Sequence, residues 1–119
     1  MRSTMVPVKL NLEVTRANLS NDSELIVAIA IVLVEDLPIL VEDLQAAFAK
    51  KDGELVKLLS HTIKGLASNF QAEPLMQLAE SLETEHAVLS DPEIGELVEE
   101  IASTSERTIV AIKEELCIR

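Results

Sequence analysis

From residue 25 onward, apolar side chains recur every three or four positions: Leu25, Ile29, Leu33, Leu37, Leu40, Leu44 and Phe48. That is the spacing of one helix face, and it predicts one long helix or two in tandem. Ser20, Asn21 and Asp22 precede the stretch and supply cap residues. Pro38 lies inside it and lacks a backbone donor, which predicts a kink near Glu35 and Asp36, with a break into two helices as the alternative. A second stripe of Leu55, Leu59, Ile63, Leu66 and Phe70 follows Asp52 and Gly53, a helix stop and restart. Pro74 sits in the first turn of a third helix, with Leu75, Leu78, Ala79 and Leu82 inward and Glu80, Glu83 and Glu85 outward. That helix ends near His86, and SDPE, with Asp91 before Pro92, opens a last one lined by Ile94, Leu97, Val98, Ile101, Ile112 and Leu116. Residues 1–9 read as a lead-in and LNLEVTRA as a short first helix. Short connections make successive helices antiparallel. The expected fold is therefore all-α: an up-and-down antiparallel four-helix bundle with a short N-terminal helix capping one end.

Composition sharpens this picture. Phe48 and Phe70 are the only aromatics in 119 residues, so Leu, Ile, Val and Ala must fill the core, as suits packed helices. The run LIVAIAIVLV, residues 25–34, is apolar all round, yet ten residues fall short of the about 20 a membrane helix needs. It reads as a helix buried on several sides, with a dimer contact as the alternative; the chain is read as a monomer. Cys117 has no internal partner, and the start carries no secretory h-region, so the expected compartment is the cytoplasm. With 21 acids against 10 bases, the formal charge of −11 repels nucleic acid and anionic membranes.

Between Arg16 and Arg107 the Lys and Arg residues are Lys50, Lys51, Lys57 and Lys64, which surround His61. Residues 73–100 hold acids and neither Lys nor Arg. At about 100° per residue, His61, Lys57, Lys64, Gly65 and Ser68 fall opposite the second stripe, so the imidazole points away from the core. Lys64 at i+3 and Gly65 at i+4 share its face. A mid-helix glycine costs about 1 kcal/mol relative to alanine, so Gly65 asks for a reason. An imidazole nitrogen attacking phosphorus needs an open in-line approach, which Gly65 leaves clear, and an ammonium nearby to offset the phosphoryl charge, which Lys64 supplies. Lys57 adds a weaker field, and its plainer reading is a solvated charge. No nucleotide loop, metal-ligand spacing or Ser-His-Asp order is visible, so neither cofactor nor metal is expected.

HTIKG, with the spacing to SNFQA, Leu75 and LAESLE, is similar to the histidine-containing phosphotransfer (HPt) domain of two-component phosphorelays. DSEL, VEDLPILVEDLQAAF and KKDGELVKLLSHTIKG resemble its upstream helices, and the likeness covers roughly residues 10–117. The resemblance implies an HPt domain over 10–119 and a phosphocarrier without catalytic machinery of its own. It implies His61 as the phosphorylated residue, Lys64 as phosphate-stabilising and Gly65 as the residue that frees the ring. The implied partners are receiver domains, one in a hybrid sensor kinase and one in a response regulator. Gln71 departs from the pattern, which usually has a second glycine there; its longer side chain is expected to crowd the site or hydrogen-bond the phosphate. Leu66 is a milder departure, and Ser68 is a possible site neighbour. Two alternatives stay open: direct phosphorylation by a histidine kinase, and a degenerate bundle kept for docking or dimerisation.

Overall fold

The computed structural model describes residues 8–118, which fold into five helices. These are α1 (Leu12–Asn18), α2 (Ser23–Ala49), α3 (Gly53–Ser68), α4 (Glu73–Glu85) and α5 (Asp91–Leu116). Of the lead-in, residues 1–7 lie outside the described residues, and Val8 is buried in the core.

Helices α2, α3 and α5 begin where a short polar side chain can take up a free N–H. Asp22 accepts from Leu25 N at 3.1 Å and Asp52 from Leu55 N at 3.2 Å. At α5 the cap is Ser90, the first residue of SDPE, and it forms a reciprocal capping box with Glu93. Helix α2 is one continuous helix through Pro38, whose ring lies on the exposed side. There water can replace the backbone bond that proline removes.

Helices α2 to α5 form the antiparallel bundle. Leu33, Leu37, Leu44, Ile63, Leu75, Leu82, Ile101 and Ile112 are fully buried at its centre, with Phe70 at the α3–α4 turn. Helix α1 covers that end: the Thr15 hydroxyl donates to Asn69 O at 2.8 Å, and Asn11 N donates to Phe70 O at 3.3 Å.

Two stripes are rotated from expectation. In α2 the buried face is Ile26, Ala30, Leu33, Leu37, Val41, Leu44 and Ala47, while Leu25 is exposed and Ile29, Leu40 and Phe48 are only half-buried. The alanines, silent in a pattern built on large residues, are what allow α2 to approach its neighbours there. In α3, Val56 and Ser60 join Leu59, Ile63 and Ala67 inside; Leu55 is exposed and Leu66 half-buried. The run 25–34 is also not buried on several sides. Leu25, Val27, Ile31 and Val32 reach solvent, because α2 lies at the bundle's surface and its outer side meets no other helix. Among the described residues, no helix is long and apolar enough to cross a membrane.

Candidate functional site

His61 stands on the exposed side of α3, its side chain 64% accessible, while Ser60 and Ile63 beside it are fully buried. Gly65, one turn on, is equally open: a Cβ built there meets nothing within 4 Å. Nothing in the packing therefore demands a glycine at 65, and the helix forgoes about 1 kcal/mol of propensity by having one. The expected outcome for Gly65→Ala is a more stable bundle, by about that amount, in a thermal or urea unfolding curve. Gly65→Leu should keep the fold yet shield the imidazole, so labelling of His61 should slow while stability does not fall.

Across from α3, the outward acids of α4 are not simply solvated. Glu83 is only 16% accessible, and its Oε2 lies 2.9 Å from His61 Nδ1. Its other oxygen, Oε1, is 2.8 Å from Lys64 Nζ. Lys64 also donates to Glu80 Oε1 at 2.8 Å, and its side chain is 29% accessible. The four groups form a chain, His61–Glu83–Lys64–Glu80, across the α3–α4 seam. The antiparallel register sets it up: His61 and Lys64 are three residues apart on α3, and Glu83 and Glu80 three apart on α4 run back past them.

Charge follows geometry. The Lys64 hydrogen bond, with that of His61 behind it, holds the Glu83 carboxyl below its usual range against a desolvation effect that pushes the other way. Glu80 and Glu83 in turn raise the Lys64 ammonium. A carboxylate offers only acceptors, so the proton in the His61–Glu83 contact belongs to Nδ1. In the neutral ring this places the lone pair on Nε2.

Of the predicted site residues, His61, Lys64 and Gly65 lie within one turn of each other on α3, and Glu83 bridges the first two. Lys64, however, is not a free cation waiting for phosphate; it is already engaged by two carboxylates. Lys57 is exposed on the same helix. The Ser68 hydroxyl donates to Gly65 O at 2.7 Å and so turns inward along its own helix.

Gln71 is not part of the cluster. It lies ten residues after His61, past the end of α3, and its amide donates to Ser68 O at 3.0 Å. Its φ is +53°, the left-handed region where a side chain costs energy and glycine does not. Backbone shape at the α3–α4 turn thus accounts for a glycine preference at this position, without any contact to the imidazole. Gln71→Gly should raise stability by about 0.5–1 kcal/mol in denaturant unfolding and leave phosphotransfer rates unchanged.

Glu83 is the residue that sequence reasoning placed wrongly, as an outward acid. The matched three-residue spacings of His61/Lys64 and Glu80/Glu83 were the available signal, but only the register of α3 on α4 shows that they meet.

An exposed histidine hydrogen-bonded to a carboxylate thus stands on an antiparallel helical bundle. The family model described as Hpt domain matches residues 28–108, most of the chain. No match is found among curated proteins or among solved structures. That domain carries out histidine phosphotransfer in two-component systems, where its members meet kinases and receiver domains. By the extent of that match and by its helical architecture, the chain belongs to the Hpt domain family.

Proposed function

We propose that this chain is a phosphorelay intermediate that accepts a phosphoryl group from a receiver aspartate on His61 Nε2 and passes it to the aspartate of another response regulator. The observation that carries the reading is the 2.9 Å contact between His61 Nδ1 and Glu83. In the neutral ring it puts the lone pair on the other nitrogen, on a side chain that is 64% accessible and one turn from a residue without a side chain.

The chemistry follows from that arrangement. The Nε2 lone pair attacks phosphorus in line with the acyl phosphate oxygen; a P–N bond forms, the P–O bond breaks, and the aspartate carboxylate leaves with the electron pair. No proton has to depart, because the ring keeps its Nδ1 proton and becomes a phosphorylated imidazolium. Glu83 stands against that positive charge and supports it. The same cation is a good leaving group when the next aspartate attacks, so the site can run in both directions. Lys64 holds Glu83 in place. Glu80, its more exposed partner, is the one a phosphoryl oxygen displaces to reach the ammonium.

The docking surface for a receiver is the apolar skin near the imidazole. Leu55 and Leu58 are exposed on α3. Ile39, also exposed, stands ten residues before the end of α2, and His61 eight after the start of α3, a difference of about 3 Å in height. The test is transfer from a receiver carrying labelled aspartyl phosphate. Label that is acid-labile and base-stable, and appears without ATP, supports the reading. Label that appears only with a kinase and ATP would instead favour direct phosphorylation.

A further inference from the structure

The first half of α2 carries a surface that the phosphotransfer site does not use. Leu25, Val27, Ile31 and Val32 all stand exposed, the last two at 40% and 46%. The outer positions of α5 mostly hold acids, such as Glu96, Glu99 and Glu100, and the exposed Ile39, Leu55 and Leu58 belong to the side assigned to the receiver. Solubility alone would have placed polar residues on α2 as well, so an apolar outer face of about two turns asks for an occupant. It lies well away from His61. In the antiparallel pairing of α2 with α3, residues 25–32 lie between seven and fourteen positions before Ile39, about 10–21 Å further along the axis.

The charges that bound the patch identify the partner. Glu24 precedes it and Glu35 and Asp36 follow it, all exposed, and α2 has no Lys or Arg. A second copy of the chain fits poorly. Packed antiparallel, α2 would set Glu24 against Glu35 of its mate; packed parallel, it would set Glu24 against Glu24, and both arrangements repel. An anionic lipid surface is repelled in the same way. The patch is also too short for the roughly 800 Å² per partner of a stable stand-alone dimer, whereas a single helix spans it. We infer that this face docks a basic amphipathic helix of a partner protein, with apolar anchors at i, i+3 and i+4 against Val27, Ile31 and Val32 and with Lys or Arg at each end against Glu24 and Glu35. Such a contact would tether the carrier while leaving His61 open.

The test needs no phosphotransfer, so it succeeds or fails apart from the reading of His61. A labelled 14-residue helix of Leu and Lys, with leucines at helical spacing, is titrated with the full chain, beside a peptide of the same composition in strictly alternating order. The helical peptide should bind better, with amide shifts concentrated at residues 24–36 and none at His61. Ile31→Gln with Val32→Gln, which keeps the charge at −11, should weaken binding by about tenfold or more. Glu24→Gln with Glu35→Gln should weaken it as well, and since all four positions are exposed both variants should fold. Equal affinity for the Ile31/Val32 variant would mean general attraction to an acidic protein and would overturn the proposal. So would sedimentation showing a dimer that the same variant dissolves, since a second copy would then be the occupant.

Discussion

His61→Gln should fold like the parent and take up no label from a phosphorylated receiver. The side chain is largely exposed, so the change in stability should stay within about 0.5 kcal/mol. Glutamine can still offer an amide N–H to Glu83, which keeps the seam between α3 and α4 intact. What it cannot offer is a nitrogen lone pair: an amide nitrogen is conjugated with its carbonyl and does not attack phosphorus. Loss of a nucleophile removes the step rather than slowing it, and the rate should drop to the background hydrolysis of the aspartyl phosphate. The check is single-turnover transfer followed by gel autoradiography, with circular dichroism and a melting curve to confirm the fold. Persistent labelling of the variant, at His86 for example, would show that the assignment is wrong.

Glu83→Gln should separate chemistry from folding. The amide oxygen can still accept from Nδ1, but it carries no charge to set against the phosphorylated ring, and its NH2 group can turn toward His61 and favour the other tautomer. Removing a preorganised electrostatic group from a water-excluded site costs about 10²–10³ in rate. Here the imidazole faces solvent, which screens the interaction, so the expected loss is about 10- to 100-fold, or about 1.4–2.7 kcal/mol in the barrier. The acid limb of stability should change too. A carboxyl lowered in the folded state contributes stability that is present above its ordinary range and is lost as pH falls through the lowered value. The glutamine variant should lack that contribution, so above that range it melts somewhat below the parent, and the two converge as pH falls through the lowered value. A variant that transfers at the parental rate would reduce Glu83 to a structural ion pair.

Much of this was legible before any coordinates. The helices, their order, the caps at Asp22 and Asp52 and the exposure of His61 follow from periodicity and cap chemistry, because these are local properties of the chain. What was not legible is lateral. The rotation of α2, which turns Leu25 out and Ala30 and Ala47 in, depends on how closely its neighbours approach, and alanine carries no signal in a count of large apolar residues. The engagement of Lys64 by Glu80 and Glu83 depends on the register of α3 against α4. At Gln71 the +53° torsion supplies a backbone reason for glycine, which a reading by side-chain room alone does not contain.

The most direct measurement is nitrogen-15 and phosphorus-31 magnetic resonance of the chain after transfer from a receiver. The account predicts a phosphorus coupled to Nε2 of His61, with the Nδ1 proton retained and protected in the parent and exchanging faster in Glu83→Gln. Phosphorus bonded to Nδ1, or to any other residue, would contradict it.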